Sequence, residues 1–117
     1  MKLAGALARA EGRQLYSETQ ADAEGRRSVV RAVGAIDDDV RAMALGFTSG
    51  EKARFIASAE NPPAILLAVS GDLGVHAGNE LKPLLVDAGG RGGGNAILAQ
   101  GSVPDAGKLA AVIAKLS

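Results

Sequence analysis

The sequence contains no cysteine and a single histidine, His76. The absence of cysteine excludes disulfides, thiolate nucleophiles and zinc sites with sulfur ligands. One histidine cannot build a His-rich metal cluster or a His-paired relay, and no acid or nucleophile is tied to His76 by spacing. We therefore expect His76 to be a structural or surface residue. The chain by itself is expected to be catalytically silent, with no metal and no other cofactor.

The sequence also has few aromatic residues and no excess of charge of either sign. One tyrosine, two phenylalanines and no tryptophan are present, so no stack of aromatic rings is available for nucleobases. Thirteen Lys and Arg are balanced by thirteen Asp and Glu, which excludes the strong basic field of a general nucleic-acid binder. Any bound anion must therefore be held locally.

Long apolar segments are missing too. The longest apolar run is residues 64–69, which is far below the ~20 residues of a membrane-spanning helix. Arg9, Glu11 and Arg13 interrupt the amino-terminal stretch before a signal-peptide core could form. The length of 117 residues suits one domain. These features predict a cytoplasmic protein without a membrane partner.

The first part of the chain has the composition of a helix followed by a short strand. Residues 1–23 are rich in Ala, Leu, Arg, Glu and Gln and contain no proline, which predicts a helix. The apolar positions of this helix are Leu3, Leu7, Ala10 and Leu15. Because that stripe is thin, we expect the helix to pack on a partner or to be the end of a longer segment. Residues 28–33 include three β-branched valines and predict a strand.

Three successive aspartates, Asp37, Asp38 and Asp39, predict the start of the next helix. Acidic side chains in a first helical turn accept hydrogen bonds from unpaired amides and complement the helix dipole. Val40, Met43, Ala44 and Phe47 then recur at helical spacing. A helix is predicted from about Asp38 to Gly46. The alternative, a carboxylate metal site, would need a second acidic cluster, which the sequence lacks.

The rest of the sequence predicts a hairpin, two helices and one more strand. Two strand-like runs flank a tight polar turn, and the second is apolar on successive residues, which predicts an inner strand covered on both faces. The elements are strands at 54–59 and 64–70, a helix at 81–88 capped by Asn79 and closed by Gly89, a strand at 96–100, a turn at 101–103 and a helix at 104–116. The predicted fold class is α/β, a mixed sheet with an antiparallel hairpin and helices packed against it, preceded by an N-terminal helical arm.

The segment from Gly89 to Asn95 is the unusual feature of the sequence. It places five glycines in six positions between a predicted helix and a predicted strand. Each ordered glycine costs about 0.5–1 kcal/mol relative to alanine, so such a segment indicates a close approach of the backbone. We predict a loop whose amides converge on an anion or lie flat on a nucleotide, with Arg91 as a planar charged fork for phosphate. The alternative is a flexible linker.

Two familiar phosphate-binding motifs do not fit the sequence. A dinucleotide fingerprint needs glycines at positions one, three and six at the start of a helix, and no frame through Gly89 to Gly94 provides them. Residues 101–108 resemble a Walker loop, but they are one residue too long, and Leu109 stands where Ser or Thr should hold magnesium. We therefore do not expect nucleotide hydrolysis.

The sequence GGRGGGN followed by AILAQGS resembles the glycine-rich signature of the DHHA1 domain. That domain is found at the carboxyl end of alanyl-tRNA synthetases and in alanyl-tRNA editing proteins, and the resemblance is closest to the editing proteins. In the family, a glycine block with one basic residue is followed by an Ala-Gln-Gly step, here Ala99-Gln100-Gly101. The resemblance divides the chain into a helical arm or linker remnant at 1–25 and a DHHA1-like nucleic-acid-binding domain at 26–117.

The resemblance implies a module that binds tRNA and forms homodimers while a separate domain performs the chemistry. The implied nucleic-acid contacts are Gly90, Arg91, Gly92, Gly93, Gly94, Asn95 and Gln100. Synthetases usually carry a basic residue, a proline and an acidic residue after the glycines, whereas this chain has Asn95-Ala96-Ile97. The parent protein would then be an aminoacyl-tRNA editing hydrolase or resemble a synthetase.

DHHA1 domains also occur in DHH phosphoesterases, which leaves a second interpretation open. The chain would then be the substrate-binding domain of an enzyme whose metal-binding Asp-His-His domain lies elsewhere. No Asp-His-His triplet occurs in this sequence, and Asn95 stands where those enzymes commonly carry a histidine. A third interpretation is a structural module whose amino-terminal helix pairs with its copy.

Overall fold

The structure, a computed structural model, describes residues 2–116, and side chains from residue 5 onward. Within that range the helices are α1 (Lys2–Glu18), α2 (Asp38–Phe47), α3 (Ala77–Asp87) and α4 (Ala106–Leu116). The strands are β1 (Arg27–Ala32), β2 (Ala53–Glu60), β3 (Pro63–Val69), β4 (Arg91–Gly94) and β5 (Leu98–Ser102). A single 3-10 turn at Gly71–Leu73 precedes α3.

The strands form one mixed sheet in the order β1-β2-β3-β5-β4. β1 is parallel to β2, with α2 as the crossover between them, and the other neighbours are antiparallel. β2 and β3 form the predicted antiparallel hairpin, in which Glu60 is paired with Pro63. β3 lies in the middle of the sheet, and residues 65–69 are all buried. The successive apolar residues of this strand therefore correctly predicted burial on both faces.

Helices cover both faces of the sheet. On one face, α1 and α2 pack over Phe55, Ala57 and Leu66, and Phe47 is fully buried there. On the other face, α3 and α4 pack over Ile56, Ile65 and Leu67. The predicted α/β fold with a mixed sheet and an N-terminal helix is confirmed. None of the helices in residues 2–116 has the length and hydropathy needed to cross a membrane.

Helix α1 packs on α2 of the same chain. A Cβ at Gly12 would overlap the carbonyl oxygen of Met43, and a Cβ at Gly46 would overlap that of Arg9. The two helix backbones are thus in direct contact at a pair of glycines, a separation that a larger residue would not allow. Leu7 is exposed, Leu15 packs against the core, and the side chain of Leu3 lies outside the described residues.

The end of α1 differs from the prediction. The helix stops at Glu18 instead of continuing to residue 23. Asp22 explains the stop, because its Oδ1 accepts hydrogen bonds from the amides of Glu24 and Arg26, both at 2.9 Å. An aspartate that bonds to amides two and four residues later stabilises a turn in competition with the helix. These two hydrogen bonds, with that of the Arg26 side chain, also hold the pKa of Asp22 below its usual value.

The starts of the other helices are set by side-chain caps. As predicted, the aspartates open α2: the carboxylate of Asp37 accepts from the amide of Val40 at 3.0 Å. The prediction of Asn79 as the cap of α3 is wrong. Instead, Nδ1 of His76 accepts from the amide of Asn79 at 3.1 Å, so α3 begins earlier than expected. Asp105 caps α4 through the amide of Lys108 at 2.8 Å, which places Pro104 outside that helix.

One arginine connects β2 to the end of α4 and to α3. Arg54 on β2 donates two hydrogen bonds to the carbonyl oxygen of Leu116, from Nε at 3.2 Å and from a terminal nitrogen at 2.8 Å. Its guanidinium also forms an ion pair with Glu80 on α3. The side chain of Arg54 is only 17% exposed, so it is largely desolvated and bound to two different helices.

The contact between α1 and α2 predicts opposite effects for two glycine substitutions in one helix. Gly12→Ala should lower the free energy of unfolding by about 1–3 kcal/mol, because its methyl group has no space beside Met43. Gly5→Ala is the control, since a Cβ there meets nothing within 4 Å, and the better helix propensity of alanine should raise stability by up to about 1 kcal/mol. Urea denaturation of both variants measures the difference. Equal effects of the two substitutions would show that α1 does not pack on α2 in this way.

Candidate nucleic-acid interface

The glycine-rich segment is an edge strand. Residues Arg91–Gly94 form β4, which is paired antiparallel with β5, so that Gly92 is opposite Gly101 and Gly93 is opposite Gln100. The predicted loop is therefore wrong. The following strand also begins later than expected, at Leu98, and it includes the residues at 101 and 102 that were predicted to turn.

The glycines are needed because the side chain of Leu85 on α3 packs directly on the backbone of β4 and β5. Gly92 has a φ of +154°, and a Cβ there would lie 2.9 Å from Cδ1 of Leu85 and would overlap the carbonyl oxygen of Gln100. A Cβ at Gly101 would overlap the same Leu85 methyl group. Leu85 is fully buried. The close approach that the composition indicated is thus an approach to the protein's own helix and neighbouring strand.

Asn95 forms the turn between β4 and β5. Its side-chain oxygen accepts hydrogen bonds from the amides of Ile97 and Leu98 at 3.0 and 2.9 Å. The carbonyl oxygens of Asn95 and Ala96 in turn accept from the amides of Gly78 and Ala77, at 2.9 and 2.8 Å. These two amides belong to the first turn of α3, where a helix otherwise offers free donors to an anion. The turn therefore occupies donors of α3 that a phosphate could have used.

Arg91 is the candidate residue with the most freedom to bind a ligand. It is exposed on the edge strand, and it forms no ion pair or side-chain hydrogen bond within the described residues. It is paired with Ser102 across the two strands. Because alternate residues of a strand share a face, Gln100 lies on the same face of β5 as Ser102. The structure thus places Arg91 and Gln100 around one groove, whose other polar residue is Ser102.

Gln100 is held in position by α2. Its Oε1 accepts a hydrogen bond from the guanidinium of Arg41 at 3.0 Å. Arg41 also forms an ion pair with Asp38. The hydrogen bond from Arg41 to the carboxylate of Asp38 is the main reason that the pKa of Asp38 is below its ordinary value. Since the side-chain oxygen already accepts from Arg41, the remaining polar group of Gln100 is its amide nitrogen, which is a donor.

The seven residues named from the sequence are therefore divided among different roles. Arg91 and Gln100 line the groove. Gly92 and Gly94 have exposed backbone on β4, and Gly93 is half-buried. Gly90 donates its amide to the carbonyl of Leu85 at 2.8 Å, and Asn95 serves the turn.

Sequence reasoning missed Ile36, which lines the groove from the other side, and Arg41, which holds Gln100. Arg41 follows Asp38 by three residues and therefore looks like one half of a surface ion pair. Its contact with Gln100, 59 residues away, leaves no signal in the spacing. Ile36 lies in an irregular segment with no helical or strand period to show its direction. In residues 2–116, no group of three or more His, Cys, Asp and Glu is arranged to hold a metal ion.

Comparison with known proteins relates the chain to alanyl-tRNA synthetase. No protein-family model matches it. The chain is 33% identical over 106 residues to the alanine–tRNA ligase of Myxococcus xanthus, and the match covers 85% of this chain but only 12% of that protein. The fold resembles the crystal structure of the C-Ala domain from Aquifex aeolicus alanyl-tRNA synthetase, with a TM-score of 0.63 and 20% identity over 76% of this chain and 84% of that chain. The predicted resemblance to alanyl-tRNA synthetases is confirmed, whereas the greater similarity to editing proteins stays a prediction.

The packing of β4 predicts that its glycines differ in their tolerance of a side chain. Gly92→Ala should lower the free energy of unfolding by about 2 kcal/mol or more, because it combines a positive φ with overlap of Leu85 and β5. Gly93→Ala is the matched control, since its Cβ would meet only Cδ of Lys82 at 4.0 Å. Thermal unfolding of the two variants measures the difference. Equal tolerance at both positions would contradict the strand and favour the loop.

Proposed function

We propose that the chain is a tRNA-binding domain of an alanyl-tRNA synthetase-like or alanyl-tRNA editing protein of the cytoplasm, and that other domains perform the chemistry. The observation that carries this proposal is the sequence similarity to a segment of an alanine–tRNA ligase over 85% of the chain. The fold shared with a C-Ala domain supports it. Because the chain spans 12% of that ligase, the identity of the catalytic domain, synthetase or editing hydrolase, is part of the proposal.

The proposed contact surface is the sheet face of β4 and β5 that carries Arg91 and Gln100, which a second strand paired to the edge of β4 would leave accessible. Its residues are those named from the sequence: Gly90, Arg91, Gly92, Gly93, Gly94, Asn95 and Gln100. Arg91 offers five donors in a planar fork that matches a phosphate. The chain has no net charge, so we expect the isolated domain to bind weakly and through few phosphates.

Substitution of Arg91 tests the proposed contact. Arg91→Ala should weaken the binding of tRNA and should reduce the slope of log Kd against log salt concentration by about 0.7–0.9, the amount expected for one lost phosphate contact. Fluorescence anisotropy with labelled tRNA at several salt concentrations measures both quantities.

Arg31→Ala is the control for this experiment. Arg31 is an exposed arginine on β1, at the opposite edge of the sheet, and it has no ion pair or side-chain hydrogen bond within the described residues. Its loss changes the net charge of the protein by the same amount but should leave the slope unchanged. The same slope for wild type and Arg91→Ala, or an equal loss in both variants, would refute the contact.

We also propose that the domain forms a homodimer through β4. The sheet order leaves one side of β4 without a neighbouring strand. In antiparallel pairs the residues alternate between bonded and non-bonded positions. Since the amide of Asn95 donates to the carbonyl of Leu98 at 2.9 Å, the non-bonded positions are Gly92 and Gly94. The amides of these two glycines point away from β5, as a second strand would require.

The dimer is tested by measuring mass in solution. Wild-type protein at high micromolar concentration should show twice the mass of the chain in light scattering. Gly93→Lys should shift it toward monomer, because it places like charges on adjacent edge strands without an internal clash. Ala110→Lys adds the same charge at an exposed position of α4 and should have no effect. A monomeric wild type would disprove this part of the proposal.

A further inference from the structure

The groove beside Arg91 has the size and lining of a small-ligand site. Its volume is about 370 Å³, within the range of about 300–1,000 Å³ that is usual for ligand sites. It lies between the segment that precedes α2 and the strands β4 and β5. Its apolar lining includes Ile36, Ala59, Pro62 and Ala64, and its polar lining consists of Arg91, Gln100 and Ser102.

The polar side chains of the groove mainly offer donors. Arg91 has donors only, and the free group of Gln100 is its amide nitrogen because Oε1 accepts from Arg41. Ser102 contributes a hydroxyl that can act either way. A ligand that fits this arrangement must therefore carry acceptors, and one of them should be negatively charged to match Arg91, which no acidic residue pairs with in the described chain.

The apolar side of the groove suits a flat ring. Ala59 and Ala64 are directly paired across β2 and β3; Ala59 is buried, and the small side chain of Ala64 is only half-buried. Ile36 lies at the margin and is half-buried. A planar heterocycle can therefore contact aliphatic carbon on one side, although no aromatic side chain lines the groove. Gln100 and Ser102 are two residues apart on β5, about 7 Å along the strand. Because Arg91 is paired with Ser102, its guanidinium is close to the amide donor of Gln100 but separate from it.

We propose that this groove binds one unpaired nucleotide of an RNA. The base lies against Ile36 and Ala64, a base carbonyl accepts a hydrogen bond from the amide of Gln100, and the phosphate binds Arg91. Arg41 acts as a positioning residue that keeps the donor of Gln100 directed into the groove. The inference deepens the proposed function and rests on it for the RNA. It adds that the domain recognises an extruded or single-stranded base, since a base stacked within a duplex cannot lie flat against the groove.

Three ligands and two variants test the groove. Wild-type protein labelled with ¹⁵N is titrated with uridine 5′-monophosphate, with a short single-stranded RNA and with the matching duplex. Shifts should appear at the amides of Ala64, Gly101 and Ser102 and at the side-chain amide of Gln100, and the single strand should bind more tightly than the duplex. Ala64→Leu fills the groove, so the base loses its place against the sheet and binding of the single strand should weaken about tenfold. It should leave the salt slope unchanged, because no phosphate contact is lost.

Gln100→Glu provides a second variant that does not depend on volume. It replaces the donor with an acceptor while its carboxylate can still pair with Arg41, so the lost hydrogen bond should also weaken single-strand binding about tenfold. Ala32→Leu, at an exposed position of β1, is the control for an added leucine. Circular dichroism verifies that each variant is folded.

The outcomes separate this inference from the proposed function. If RNA binds in an Arg91-dependent manner but Ala64→Leu and Gln100→Glu bind like wild type, the groove is refuted and the proposed function stands. If neither tRNA nor the single strand binds wild type, the proposed function fails. Shifts with uridine 5′-monophosphate alone would then identify a site for free nucleotides and overturn the assignment to RNA. Preference for the duplex over the single strand would also overturn the inference.

Discussion

The contact of Leu85 with the backbone of β4 and β5 is the constraint on which the rest of the interface depends. The side chain of this leucine fills the space that Cβ atoms at Gly92 and Gly101 would need. Because the strands lie so close to α3, the turn that joins them reaches the first amides of that helix. The same placement sets Arg91 and Gln100 on the sheet face opposite the helix, where both remain accessible to a ligand.

A second glycine contact has the same physical basis on the other side of the sheet. Gly12 and Gly46 bring two helix backbones together, and Tyr16 then reaches the edge of the Phe47 ring, with 5.5 Å between the ring centroids. Arg27 lies 4.7 Å from the centroid of Tyr16 and connects α1 to β1. At these positions glycine therefore serves to bring backbones together, and such contacts require a well-ordered arrangement of the elements.

The sequence predicted the elements whose physics is local. The burial of β3 followed from its uninterrupted apolar residues, and the start of α2 followed from Asp37, because strand burial and helix capping act over a few residues. The prediction of a loop for the glycine segment was wrong. Its composition shows only that something approaches the backbone closely, and a packed Leu85 requires glycine there just as a ligand would. Likewise, the hydrogen bond between Arg41 and Gln100 joins residues 59 positions apart, so only the fold reveals that the candidate site includes α2.

The position of Arg54 determines how the last helix is held. This side chain reaches from the sheet to the final carbonyl of α4 and to Glu80, so a single guanidinium joins three elements in a largely dry environment. Detachment of α4 would leave that cation with half of its partners, at a cost well above that of an exposed ion pair. Fraying of the carboxyl-terminal helix is thereby coupled to the centre of the domain, and the final turn is expected to exchange its amide hydrogens almost as slowly as β2.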